Sequence, residues 1–189
     1  MYEVELKFAV TDVAAIEARF VQLGARPLDV VHQSDLYFAH PVRCFAESNE
    51  ALRLRSTGTS HCVTYKGPVI DKQTKMRREI EIGLQGADRS AAEFQEMLGL
   101  LGFEPVREVQ KRRQRLELDW SGRAFELAID SVTDLGTFVE LETLADEASR
   151  DQARAAVLEL AAACDLHACE PRSYLRMLIE RDTPSSDVP

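Results

Sequence analysis

Charged and apolar side chains alternate residue by residue in stretch after stretch of this chain. YEVELKF, at 2–8, sets Glu3, Glu5 and Lys7 against Val4, Leu6 and Phe8. A period of two marks an extended strand, because successive side chains point to opposite faces. ALRLRS places Arg53 and Arg55 opposite Leu52 and Leu54. HCVTYKG places Lys66, Thr64 and Cys62 opposite Val63 and Tyr65. KMRREIEIG aligns Lys75, Arg77, Glu79 and Glu81 against Met76, Ile80 and Ile82, with Arg78 breaking the pattern. QKRRQRLELDW aligns Lys111, Arg113, Arg115, Glu117 and Asp119 against Leu116, Leu118 and Trp120. FELAID sets Glu126 and Asp130 against Phe125, Leu127 and Ile129, and FVELE sets Glu140 and Glu142 against Val139 and Leu141.

For any single strand, a charged face meeting water is the ordinary explanation. For the whole set, the opposite arrangement is expected. The charged faces are dense, with few neutral polar residues diluting them, and the apolar faces need cover. Amphipathic helices are available to supply it: Val13, Ile16, Phe20 and Leu23 fall at helical spacing, as do Ala153, Val157, Leu160, Ala161 and Cys164. Strands are expected near 2–9, 30–40, 50–57, 60–67, 74–84, 106–120, 123–131 and 136–144. Helices are expected near 12–24, 90–101, 149–165 and 173–180. Thr11 or Asp12 can cap the first helix, and Ser90 with Glu93 and Ser149 with Gln152 read as capping boxes.

The element order also looks duplicated. EVELKF, a helix ending LGARP and a long strand are followed by REIEIGL, a helix ending LGFEP and another long strand, with Gly24 and Pro27 matching Gly102 and Pro105. Two further strands follow in each half. The expectation is an α+β fold: a closed eight-stranded antiparallel barrel, which leaves no exposed edge, with helices packed outside and a charged tunnel within. One domain over 1–180 is expected, with a disordered tail at 181–189.

Crowded like charges are unfavourable unless something neutralises them. Carboxylates inside such a tunnel suit a hard divalent cation, Mg²⁺ or Mn²⁺. Lys and Arg beside them suit phosphate oxygens. Together they describe a polyphosphate site with metal-assisted attack at phosphorus. The net charge of −9 and pI near 5.0 argue against nucleic acid as a partner. No apolar run is long enough to span a membrane, and residue 2 already starts a strand pattern without a signal-peptide profile, so a cytoplasmic protein is expected. Cys44, Cys62, Cys164 and Cys169 have no metal or CxxC spacing and read as free thiols, and the four histidines are scattered.

The motifs, taken in order, resemble those of the CYTH superfamily, the triphosphate tunnel metalloenzymes. ExExK appears as Glu3-Val4-Glu5-Leu6-Lys7. SDLYF (34–38), EALRLR (50–55), TYKGP (64–68), RREIEI (77–82), KRR (111–113), LAIDSVTDLGTFVELE (127–142) and SYLRML (173–178) follow. Within that superfamily, DLYFAHPVRCFAESNEALRLR is most similar to the class IV adenylate cyclase group. Asn49 departs from it where an Asp is expected.

The resemblance implies metal ligands at Glu3, Glu5, Glu79, Glu81, Asp130, Glu140 and Glu142. It implies triphosphate contacts from Lys7, Arg53, Arg55, Lys66, Arg77, Lys111 and Arg113, with Lys7, Arg53, Lys66 and Arg113 the catalytic set. Glu117, Asp119 and Glu126 are assigned to the tunnel mouth or solvent, Tyr37 and Tyr65 to packing, and Tyr174 to closing one tunnel end. The implied reaction converts ATP to cyclic AMP and pyrophosphate. Hydrolysis of inorganic or thiamine triphosphate is the alternative, and non-catalytic polyphosphate binding a lesser one. A homodimer is the family-level expectation.

Overall fold

The computed structural model describes residues 1–71 and 74–183. Its strands are β1 (Tyr2–Ala9), β2 (Arg26–Ala39), β3 (Ala51–Thr57), β4 (Ser60–Lys66), β5 (Arg77–Leu84), β6 (Glu104–Trp120), β7 (Arg123–Val132) and β8 (Gly136–Ala145). The helices are α1 (Val13–Gln22), α2 (Phe45–Ser48), α3 (Ala87–Leu100), α4 (Arg150–Ala163) and α5 (Tyr174–Asp182). The strands close into a barrel in the order β1-β5-β4-β3-β2-β6-β7-β8.

The internal duplication is visible in this order. β1-α1-β2 recurs as β5-α3-β6, and the two long strands β2 and β6 pair with each other. The first strand of each half lies against the last strand of the other: β1 on β8, and β5 on β4. The helix ends match as well. Gly24 and Gly102 sit at φ 87° and 86°, a conformation that side chains with a Cβ resist. Just beyond each glycine the backbone turns back on the helix. Ala25 N–H donates to the Phe20 carbonyl and Phe103 N–H to the Leu98 carbonyl, each at 2.9 Å.

Several element ends differ from expectation. β2 starts at Arg26 rather than 30, since a register irregularity between Pro27 and Val30 lets a proline join the pairing with β6. β5 starts at Arg77 rather than 74, after a turn in which Lys75 adopts φ 42°. α3 starts at Ala87, because Gly86 at φ 102° turns the chain directly out of β5. Ser90 is therefore inside the helix, and its expected box partner Glu93 pairs instead with Arg89 at 2.8 Å. Ser149 does precede α4, but its hydroxyl donates to Asp146 at 2.6 Å and does not cap the helix. Asp12 caps α1 as expected, accepting from Ala15 N–H at 3.0 Å. The short α2 was not expected. α5 runs two residues into the stretch 181–189, whose last residues, 184–189, lie outside the described ones.

The apolar strand faces point outward, under helices. Val4, Leu6 and Phe8 of β1, Leu116 and Leu118 of β6, Phe125 and Leu127 of β7, and Val139 and Leu141 of β8 form one cluster. Phe20 of α1 and Ala153, Val157, Leu160 and Ala161 of α4 complete it. A second cluster joins Phe38 and Leu54 to Ala91 and Leu98 of α3. Leu160 is fully buried. Leu160→Ala is expected to lower unfolding stability by about 2–5 kcal/mol, read as a shifted urea midpoint at unchanged slope. All four cysteines are free thiols. None of the described helices is long and apolar enough to cross a membrane.

Candidate functional site

With the apolar faces outside, the charged faces meet inside the barrel. Glu3, Glu5, Lys7, Arg53, Lys66, Lys111, Arg113, Asp130 and Glu140 are all buried there. The pairing explains their convergence. Glu5 stands opposite Glu142 and Lys7 opposite Glu140 across β1 and β8. Lys66 stands opposite Glu79 across β4 and β5, and Arg113 opposite Asp130 across β6 and β7.

The interior is graded from end to end. Along β6 the inward residues run Arg115, Arg113, Lys111, Val109. Along β7 they run Glu126, Ala128, Asp130, Val132, and along β8 Glu142, Glu140, Phe138. Charge thus gives way to apolar groups at one end. There Tyr37, Val109, Val132 and Phe138 pack with Tyr174 and Leu178 of α5, which stoppers the tunnel. The chain reaches this position because the segment after α4 returns to β1: Cys169 bridges to Phe8, and Glu170 N–H donates to the Lys7 carbonyl at 2.7 Å. At the other end the charged side chains grow exposed. A cleft of about 820 Å³ opens there, lined by Arg115, Glu117, Glu126 and Glu142 together with Leu28, Phe125, Leu144 and Ala156.

Three ion-pair groups organise the interior. Asp130, which the sequence groups with the metal ligands, has both oxygens engaged by donors. Arg113 donates to it at 2.7 and 2.6 Å, Lys111 at 2.8 Å and Tyr174 at 3.1 Å. Arg113 also bridges to Glu140. Asp35 plays the matching part on β2, two strands from β7, accepting from Arg53 at 3.2 Å and twice from Arg55 at 2.7 Å. Lys66 lies 3.0 Å from Glu3 and also pairs with Glu79. Glu81 sits nearer solvent, accepting from Thr64 at 3.0 Å. Arg77 makes no ion pair among the described residues. Its Nε–H and that of Arg53 are buried without an acceptor.

Electrostatics separates the acids. Burial works to raise the Glu140 pKa, but Arg113, Lys111 and Lys7 overcome it and hold the carboxyl well below its ordinary range. Glu142 goes the other way. Burial and then the Glu3 carboxylate push it well above that range, with Glu5 and Glu126 adding to Glu3 and only Lys66 opposing. Burial, together with neighbouring Lys75 for Lys7 and Arg113 for Lys111, lowers each of these lysines to about 8.

Among the described residues, no three acidic, imidazole or thiol side chains converge closely enough to grip a metal as they stand. The donor chemistry nonetheless fits a hard divalent ion at Glu3, Glu5 and Glu142. These are oxygen donors on adjacent strands, and Glu142 has no cation in ion-pair contact among the described residues.

Two inward residues were missing from the sequence-derived site. Asp35 belongs to SDLYF, but no pattern within β2 marks its role. Lys75 shares the charged face of its stretch, yet it enters the tunnel from a turn before β5. It lies 3.4 Å from Glu5 and donates to the Arg172 carbonyl at 3.4 Å.

A closed barrel with a polar, ion-paired interior, helices on its outside and a helical stopper at one end defines a tunnel-barrel protein. The chain belongs to the CYTH domain family, whose pattern residues 1–168 match. It is 33% identical over 167 residues to a Methanocaldococcus jannaschii protein named "Putative adenylate cyclase", covering 88% of this chain and 91% of that one. The PH1819 protein of Pyrococcus horikoshii OT3 shares the fold with a TM-score of 0.81 and 33% identity, over 95% of this chain and 99% of that one. A Hippeastrum protein, described as a "putative adenylyl cyclase" that "reveals a dominant" triphosphatase activity, shares the fold alone. Its TM-score is 0.60 at 16% identity, over 96% and 95% of the two chains.

Proposed function

We propose that the tunnel binds a triphosphate together with Mg²⁺ or Mn²⁺ and that the protein is an adenylate cyclase, converting ATP to cyclic AMP and pyrophosphate. The observation that carries the triphosphate reading is the set of buried cations lacking full anionic partners. Lys7 meets no carboxylate at ion-pair distance among the described residues, and Arg53 and Arg77 each bury an unaccepted Nε–H. Buried donors of this kind call for acceptors, and a row of phosphate oxygens supplies them. The nucleotide reading rests on the open-mouth cleft, where Leu28 and Leu144 offer exposed apolar surface beside Glu142. A nucleoside seated there would thread its phosphates inward. The relative named for cyclase activity supports the same choice.

In this reading the ribose 3′ oxygen bonds to the α-phosphorus as the bond from that phosphorus to the bridging oxygen of pyrophosphate breaks, and the 3′ proton passes to solvent. Lys66, Arg53, Lys111 and Arg113 carry the charge that builds on the departing pyrophosphate. Asp35 and Asp130 hold Arg53, Arg113 and Lys111 in place for it. Glu3, Glu5 and Glu142 would hold the metal, with Glu140 and Glu79 beside them, and a bound divalent ion supplies Lewis acidity and lowers the pKa of an attacking oxygen.

One observation favours a second reading, hydrolysis at the terminal phosphorus. The stoppered end concentrates Lys7, Lys75 and Lys111 where the terminal phosphate would lie, and the fold itself accommodates such chemistry, as the Hippeastrum protein illustrates. Incubation with ATP or inorganic tripolyphosphate plus Mg²⁺ or Mn²⁺, followed by product separation, decides between them. Cyclic AMP plus pyrophosphate is the expected result. Orthophosphate without cyclic AMP would replace the cyclase with a triphosphatase.

A further inference from the structure

The barrel wall closes thinly between β1 and β5. Among the described residues, only Tyr2 opposite Arg78 and Glu3 opposite Arg77 join the two strands. Beyond Arg78, β5 keeps β4 on one side through Glu79 to Leu84, and on the other side it pairs with no described strand. The backbone groups on that side form an open edge. The outward side chains of the same stretch are uncovered: Ile80 is 41% and Ile82 58% exposed. A Cβ placed on Gly83 would meet nothing within 4 Å.

The internal duplication shows what β5 lacks. Its Glu79-Ile80-Glu81-Ile82-Gly83-Leu84 corresponds to Glu3-Val4-Glu5-Leu6-Lys7-Phe8 of β1. Val4, Leu6 and Phe8 are buried in the cluster that α1 and α4 complete. The segment after α4 also lies along β1, where Cys169 bridges to Phe8 and Glu170 N–H donates to the Lys7 carbonyl. β1 owes this helix and strap to the chain that follows β8. The counterpart of β8 is β4, and the next element after β4 is β5 itself. So Ile80 and Ile82 have no cover matching α4, and the edge beside them has no matching strap.

A second copy of β5 fits that edge by its sequence. Strands related by a two-fold axis run antiparallel, and residues opposite each other share a face. Centring the pair on Glu81 sets Glu81 against itself, and centring it on Ile80 sets Glu79 against Glu81. Centring it on Ile82 avoids both clashes of like charge: Ile82 meets Ile82, Ile80 meets Leu84, and Glu81 meets Gly83, which has no side chain to crowd it. The same register carries each Arg78 to Gly86 of the other copy, just before an α3 whose first-turn Asp88 is 84% exposed. Opposite charges therefore meet at both ends of the seam.

We infer that two copies of this chain pair along β5, antiparallel about Ile82, and join their barrel walls into one sheet. The contact is independent of the chemistry inside the tunnel.

The test is sedimentation equilibrium over a concentration series for the wild type, Ile82→Lys and Val21→Lys, the last an exposed position on α1. The expected result is a wild-type dimer whose dissociation constant rises about 10-fold or more in Ile82→Lys, where two ammonium groups face each other across the axis, and stays within about 2-fold in Val21→Lys. Circular dichroism checks that each variant is folded. Ile82→Cys supplies the register. Facing residues in antiparallel strands have Cα atoms about 4.5–5.5 Å apart, within disulfide reach, so oxidation with copper phenanthroline should link this variant into a covalent dimer. Wild type treated alike gives the background from its own free thiols. A wild-type monomer at every concentration would overturn the proposal and leave the edge to a different partner. A dimer that Ile82→Lys leaves intact, or one that Ile82→Cys links no more than wild type, would overturn the β5 seam.

Discussion

Asp130→Ala should cost about 3–5 kcal/mol of folding stability, the largest loss expected from any single interior substitution. Asp130 is fully buried and holds Lys111, Arg113 and Tyr174 at once. Without it, of two cations that are 5% and 6% exposed, Arg113 keeps an ion pair with Glu140 and Lys111 keeps none among the described residues. The loss comes mainly from stranding those charges, since a buried pair is worth little beside a well-packed apolar replacement, whereas half of a pair is strongly unfavourable. Denaturant titration measures it. Asp119→Ala supplies the control: the side chain is 76% exposed, and a change within about 0.5 kcal/mol is expected. Tripolyphosphate should recover part of the Asp130→Ala loss, because a bound anion replaces the missing carboxylate as counter-charge. A loss under about 1 kcal/mol would mean that Lys111 and Arg113 find other partners or water, and that the interior is looser than its ion pairs suggest.

That Asp130 supports cations could not be read from the chain. In a strand, parity tells which side chains share a face, and parity alone grouped Asp130 with Glu126. It does not tell which residue stands across from which. Only the register of β6 on β7, with Arg113 opposite Asp130, turns a shared face into a bonded pair. Asp35 was missed for the same reason: its meaning lies in standing opposite Arg55 on β3. The inversion of the barrel was legible, because α1 and α4 carry apolar stripes that need a surface to cover and the strands' apolar faces supply it. The stoppered end was less so. The resemblance assigned Tyr174 to closing one end, but Tyr37, Val109, Val132 and Phe138 continue the inward parity of Asp35, Lys111, Asp130 and Glu140, so parity alone extends the tunnel through the level that α5 fills. Lys75 escaped because its delivery depends on a turn at positive φ, which no period of two describes.

Glu5→Gln is the substitution that bears most directly on the proposed chemistry, and a loss of metal-dependent turnover of about 10³-fold is expected. A metal's charge stabilisation is worth several kcal/mol in a transition state, and each 1.36 kcal/mol is tenfold in rate. Glutamine has the shape of glutamate but lacks the full charge that a hard cation requires. The fold should survive, since the ion pair Glu5 makes among the described residues is the long contact to Lys75 at 3.4 Å and its backbone pairing is untouched. Glu142 sharpens the argument. Its pKa is raised first by burial and then by the Glu3 carboxylate, with Glu5 contributing, so full ionisation of the acids at this level would put negative charge there in excess of what Lys66 offsets. A divalent ion relieves that excess. Glu5→Gln relieves it differently, by removing a charge, so the apo variant should melt no lower than wild type while the rise in melting temperature produced by Mn²⁺ shrinks. The two readouts separate a ligand from a structural residue. Lost activity with the Mn²⁺ shift intact would make Glu5 a substrate-side group. Undiminished activity would remove it from the site and shift the metal towards Glu140 and Glu79.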